Sequence, residues 1–132
     1  MAFRKTASSY LEIEMQQIAA TYGFSPKVLA INDLDFDMVN LDSPCLADVY
    51  GDDPTKIPDW IWEEIHHILT VLYECEGIEY VDITPYNFIE KEAKLWIIDF
   101  GHAYYTQSPV VPENWFLRDF LDGERGWNPD FA

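Results

Sequence analysis

The sequence predicts an α+β fold, a small antiparallel sheet with separate helices. Three observations carry that expectation. Residues 8–22 repeat apolar side chains at helical spacing and are followed by two short strand-like stretches. Residues 58–76 carry the strongest helical periodicity in the chain. Two further strand-like stretches flank a polar turn at 91–94, which reads as a hairpin. Helices and antiparallel strands in separate runs define the class.

Taken in order, residues 1–6 form a short, basic, extended start. From Ser8 or Ser9 to Tyr22, Leu11, Met15, Ile18, Ala19 and Tyr22 recur at three- and four-residue steps. Ser9 is placed to cap this helix, with Glu12 completing a capping box. Gly23 is placed to end it in a left-handed conformation. Lys27–Ile31 and Asp35–Asn40 read as strands around an Asn-Asp turn, and 41–56, rich in Ser-Pro and Asp-Pro breakers, as a loop. Pro58 suits the first turn of the long helix to Glu76, where Ile61, Ile65, Ile68, Leu69, Leu72 and Tyr73 share one face and Gly77 is the stop. A loop at 79–86, strands at 87–90 and 95–98, a loop at 102–112, a short helix at 113–122 and a Gly-Trp-Asn-Pro tail complete the expectation.

Composition bounds the function. The chain has 132 residues, 48% apolar and 16% aromatic, enough for one folded domain with a single core. It has no run of about 18 apolar residues and no apolar segment of a secretion signal near its start, so the expectation is an intracellular, cytoplasmic protein outside the membrane. Cys45 and Cys75 make neither a disulfide framework nor a metal-type spacing and are read as reduced thiols. The net charge of −16 argues against direct binding to nucleic acid or an anionic membrane. It favours a protein partner with a basic surface, or simple solubility.

The chemistry concentrates in residues 80–101. Tyr80-Val81-Asp82-Ile83-Thr84-Pro85-Tyr86-Asn87 precedes a hairpin, and Asp99-Phe100-Gly101 follows it. Asp82, Asn87 and Asp99 thus sit on two loops joined by a short hairpin and can converge on one small volume. Hard oxygen ligands with a carboxylate to orient a hydroxyl suit a magnesium–phosphate site.

This pattern, at this separation and after a long amphipathic helix, resembles the protein kinase superfamily over roughly residues 1–113. The resemblance implies a truncated, minimal kinase-like domain: residues 1–40 a reduced N-lobe, 41–56 the hinge or linker, 57–132 a reduced C-lobe. It implies ATP and magnesium as cofactors. Asp82 resembles the catalytic base, Asn87 and Asp99 the magnesium ligands. Ile89 resembles the floor under the adenine, and Phe100 the aromatic beneath the N-lobe helix with Tyr80 beside it. Lys5 resembles the phosphate-holding lysine. Glu12 matches its helix partner better than Glu14, which would face another way.

The chain also departs from the family. Only four residues precede Lys5 here, so no glycine-rich loop covers the phosphates, and Phe3 stands where the family has a small alanine. Val81 replaces the catalytic-loop arginine that would bind an activating phosphate, and Thr84 replaces a lysine. The helices of the peptide-substrate platform are missing. Two functions follow: a minimal kinase transferring phosphate to a protein hydroxyl, or a catalytically weak pseudokinase serving as an acidic interaction module. A third, mimicry of a polyanion, rests on charge alone. His66 and His67 are adjacent on a helix and diverge by about 100°, a poor metal pair. His102 is read as structural. One of Trp60 and Trp62 is expected in the core, and Trp115, Phe116, Phe120 and Trp127 are expected to close the shortened C-terminal part.

Overall fold

A computed structural model describes residues 2–108 and 110–131. Met1, in the predicted extended start, Pro109, in the predicted 102–112 loop, and Ala132 lie outside the described residues. The order is β1 (Ala2–Thr6), α1 (Tyr10–Thr21), β2 (Val28–Asn32), β3 (Asp35–Val39), α2 (Leu46–Tyr50), a 3-10 turn (Pro54–Lys56), α3 (Asp59–Glu76), β4 (Ile78–Glu79), β5 (Phe88–Lys91), β6 (Lys94–Ile97), β7 (Tyr104–Tyr105) and α4 (Trp115–Leu121). The mixed α+β class is as expected, with the strands in three antiparallel sheets: β1-β3-β2, β4-β7 and β5-β6.

The extended start is a true strand. β1 pairs with β3 so that Lys5 lies opposite Phe36 and Phe3 opposite Met38. Alternation then puts Phe3 and Lys5 on the face that carries buried Phe36 and Met38. That face packs on α1 through Ile13 and Ala7, in a small core of its own. The other side of α1 joins the main core through Met15 and Ala19, alongside Ile61, Ile65, Ile68, Leu69 and Leu72 of α3.

Because α1 is covered on two sides, its buried face differs from the one its apolar residues suggest. Glu12 and Gln16 are buried with Ile13, Met15 and Ala19, while Leu11 is half exposed. Gln16 is accommodated by donating to the Pro26 carbonyl at 3.0 Å. The capping box is also altered. Ser9 accepts from the Glu12 N–H at 3.4 Å, but the Glu12 carboxylate reaches Ser8, not Ser9, bonding its N–H at 2.9 Å and its hydroxyl at 3.0 Å. The two glycine stops form as expected, with φ of +79° at Gly23 and +67° at Gly77.

Three predicted loops contain structure. The 41–56 stretch holds α2, whose Leu46 is fully buried, and the 3-10 turn capped by Asp53. The loops at 79–86 and 102–112 each lend residues to the β4-β7 pair, where Ile78 faces Tyr105 and Glu79 faces Tyr104. The C-terminal stretch is not a loose tail: Trp127 packs on buried Trp62 at 4.6 Å between ring centres, and Asn128 is fully buried. Cys45 and Cys75 are both free. No helix among the described residues is long and apolar enough to cross a membrane.

The β5-β6 hairpin that separates the two candidate loops turns through Glu92 and Ala93, both left-handed at φ +57° and +59°. A two-residue turn of this kind favours Asn-Gly, because a side chain in that conformation costs about 1 kcal/mol or more per residue. Replacing Glu92-Ala93 by Asn-Gly is therefore expected to raise the unfolding free energy by about 1 kcal/mol. Urea denaturation checks this; an unchanged or lower midpoint refutes the strain.

Candidate active site

The site is assembled around one cation. β1 delivers Lys5 to the gap between α1 and the Asp99 loop. Its Nζ lies 2.8 Å from Glu12 Oε2 and 3.1 Å from Asp99 Oδ1. Glu12 is almost completely buried, and its Oε2 has no hydrogen-bond partner among the described residues, so Lys5 is its counter-charge. Glu14 is engaged elsewhere, accepting from the Tyr105 hydroxyl at 2.5 Å. The choice between the two glutamates follows from their directions on the helix: two residues apart, they face different neighbours.

Asp99 has a left-handed backbone, φ +62°, in a segment where strain is tolerated only if the surroundings hold it. Its Oδ1 accepts from the Gly101 N–H at 3.1 Å as well as from Lys5. Burial pushes the Asp99 carboxyl up. The attraction of Lys5, the Gly101 N–H and the Lys5 hydrogen bond together outweigh it and hold the group below its ordinary value. A side chain added at Gly101 would stand 3.1 Å from Asp99 Oδ1 and 3.4 Å from Glu12 Oε1, so the glycine leaves room for this cluster.

Phe100 turns inward and is fully buried, edge-on to Tyr80 at 5.2 Å between ring centres. Tyr80 donates its hydroxyl to the Ile98 carbonyl at 2.5 Å. Burial, then the charges of Asp82, Asp99 and Glu12, drive its pKa far up, so the phenol stays a neutral donor. This bond ties the residue two before Asp82 to the residue just before Asp99. Asn87 makes the second tie: its Nδ2 donates to the Asp82 carbonyl at 2.9 Å, and its own carbonyl accepts from the Ile98 N–H at 2.9 Å. The Asp82 carboxylate is nearly buried, with Oδ2 3.0 Å from His102 Nδ1.

Beside these polar groups lies an apolar cleft of about 210 Å³, lined by Phe3, Pro26, Met38, Leu41, Ile89 and Ile98 among others. Ile89, placed by the resemblance under an adenine, is on its wall, two residues from Asn87. Phe3, about half exposed, stands over the cleft two residues before Lys5. The structure thus gathers Lys5, Glu12 and Asp99 in one contact cluster and Asp82 and Asn87 in a second, joined through Tyr80 and Ile98, with Ile89 on the adjoining wall.

Sequence reasoning missed three participants. His102 was assigned a structural role, yet it contacts Asp82 directly. Fully buried Glu79 accepts four hydrogen bonds, from the Tyr104 hydroxyl, the Thr106 hydroxyl and the N–H groups of Glu113 and Asn114. It thereby moors the 104–114 segment beside the catalytic-loop candidate. Its one signal in the sequence is a lone acidic residue inside the apolar run Ile78 to Val81. Asn128 gave no signal beyond an asparagine before proline in an aromatic tail.

No protein-family model and no curated protein matches the sequence. Among solved structures the chain is similar to the Cydia pomonella granulovirus kinase PK-1, with a TM-score of 0.65 and 15% sequence identity. The likeness covers 86% of this chain and 45% of that kinase, so the chain spans about half the length of its neighbour. The fold is therefore kinase-like.

Lys5→Met should leave the buried Glu12 charge unpaired and destabilise the fold by about 3 kcal/mol, at the low end for a broken buried pair because Lys5 is partly exposed. Denaturant unfolding measures this, and a loss under about 0.5 kcal/mol would remove the pair from its central place. The same variant should raise the Asp99 midpoint in a carboxyl-carbon NMR titration. Since the folded Asp99 value lies below the unfolded one, its stabilising contribution is present above about pH 4 and is lost as pH falls through the folded value.

Proposed function

We propose that the chain binds magnesium–ATP and transfers the terminal phosphate to a protein hydroxyl. The observation that carries this reading is the position of Lys5, 2.8 Å from Glu12 and 3.1 Å from Asp99. A lysine fixed by a buried glutamate and aimed at a half-buried aspartate holds phosphate oxygens as a point charge. The neighbouring cleft suits an adenine, with Ile89 and Met38 as apolar walls and residues 39–42 also in its lining.

The donor set fits magnesium. Lys5 and Gly101 occupy Asp99 Oδ1, which leaves Oδ2 for a cation, and Asn87, committed through Nδ2 to the Asp82 carbonyl, has Oδ1 free to ligate. No cluster of three or more His, Cys, Asp or Glu able to hold a metal occurs among the described residues. With one aspartate and one asparagine as its protein ligands, a magnesium ion would need waters and bound phosphates to complete its shell. Bound magnesium would supply charge neutralisation at the phosphates. Asp82 would accept the proton of the attacking hydroxyl as the new phosphorus–oxygen bond forms and the bond to ADP breaks.

A second reading has its own observation. His102 occupies one oxygen of Asp82, and no strand among the described residues lies on the outer edge of β1 above the cleft. A site so arranged serves a nucleotide-binding or pseudokinase module, whose surface, at a net charge of −16, would engage a basic protein partner.

Calorimetric titration with ATP, with and without magnesium, separates these readings, combined with transfer to a basic protein acceptor. Asp99→Asn is expected to abolish the magnesium dependence of binding, and Asp82→Asn to retain binding while lowering kcat by about 10²-fold or more. Binding without transfer leaves the module; absence of binding in the parent protein ends both nucleotide readings.

A further inference from the structure

The C-terminal segment makes an unusual grip on the candidate catalytic loop. Asn128 is fully buried although it follows a helix end and two glycines. Its Nδ2 donates to the Val81 carbonyl at 2.8 Å, and its main-chain N–H donates to the Ile83 carbonyl at 2.8 Å. Val81 and Ile83 are the two neighbours of Asp82 in the chain. The Asp82 carbonyl between them is taken by Asn87 Nδ2. Three consecutive carbonyls are thus held, two of them by one residue from the far end of the protein.

Asn128 is itself locked. Its Oδ1 accepts from the Asp130 N–H at 3.0 Å, and its carbonyl accepts from the Phe131 N–H at 3.1 Å. Trp127 before it packs on Trp62, and Asp130 after it accepts from the Trp115 indole at 3.1 Å. Phe131 then lies 5.0 Å, ring centre to ring centre, from His102, the residue that contacts the Asp82 carboxylate. The same short segment therefore meets Asp82 from both sides: its backbone through Asn128, its carboxylate through Phe131 and His102.

We infer that Asn128 is a positioning residue for Asp82. The inference rests on the phosphotransfer reading for its catalytic consequence, but the positioning itself is independent of that reading. A buried amide is costly unless it is hydrogen-bonded, and here Nδ2 is met by the Val81 carbonyl and Oδ1 by the Asp130 N–H, while the Asn128 main-chain N–H holds the Ile83 carbonyl. A filler of the same volume without the Nδ2 donor would occupy the space and leave the Val81 carbonyl only the local partner it already has, the Ile83 N–H two residues along. The loop at Asp82 would then lose its hold at the one residue whose orientation transfer requires, and a shift of about 1 Å there is enough to cost about 10²-fold in rate.

The test is Asn128→Asp, which keeps the size and the oxygen facing the Asp130 N–H but removes the donor to Val81. Amide hydrogen exchange at Ile83 and Thr84 is expected to quicken by about tenfold or more while exchange in the α3 core, at Ile65 and Leu69, stays unchanged. In an enzyme that transfers phosphate, kcat should fall by about tenfold or more, with magnesium–ATP affinity within about twofold of the parent. Unchanged exchange at Ile83 and Thr84, or unchanged kcat beside quickened exchange, overturns the inference. If the parent transfers no phosphate, the proposed function fails on that result, and the exchange comparison still decides the positioning. Should the variant not fold, exchange in the unaltered protein decides it: the Asn128 N–H should be as protected as the Thr84 N–H. An Asn128 N–H that exchanges like an unstructured amide beside a protected Thr84 refutes it.

Discussion

A carboxylate buried in a chain that carries 24 acidic and only 8 basic residues needs a cation, and Glu12 takes Lys5. Much of the site follows from that constraint. Lys5 reaches Glu12 from β1, an edge strand of the sheet, in a register on β3 that puts Lys5 opposite Phe36 on the face turned toward α1. To receive Lys5, α1 must present Glu12 inward, which pulls Ser8 and the start of the helix into place. Lys5 then has one remaining direction, toward Asp99. The ion pair joins the sheet and the first helix, which are neighbours in sequence, to the Asp-Phe-Gly turn, whose Asp99 lies 94 residues from Lys5.

The C-terminal part solves a different problem. Here the loops around the site are braced by single buried polar residues. Glu79 does this for residues 104–114 with four accepted hydrogen bonds, and Asn128 does it for residues 81–83. Tyr80 and Phe100 join the two candidate loops through a buried aromatic contact. Polar groups this deep are tolerated because each is satisfied, and each specifies one arrangement of the backbone around it.

The likeness to the granulovirus kinase and the geometry of the site bear on different questions. At 15% identity the likeness speaks for the fold. The proposed chemistry rests on particular atoms: Lys5 Nζ between two carboxylates, Asn87 tied to the Asp82 carbonyl, His102 on the Asp82 carboxylate. In the proposed reaction, the His102 contact means that an acceptor would share Asp82 with the imidazole or displace it.

The helices α1, α3 and α4, the hairpin and the glycine stops were legible in the sequence because they depend on local periodicity and turn chemistry, whereas α2, inside the breaker-rich 41–56 stretch, was not. Asp82, Asn87 and Asp99 could be picked out by their spacing around one hairpin, but their grouping could not: Asp82 and Asn87 share one cluster, and Asp99 joins Lys5 and Glu12 in another. The buried face of α1, the engagement of His102, the mooring by Glu79 and the grip of Asn128 were not legible. Each pairs residues distant in sequence and each uses a polar side chain in the interior, where composition alone points outward. Whether a glutamate or an asparagine is buried depends on which partner the completed fold brings to it, and only the tertiary structure supplies that partner.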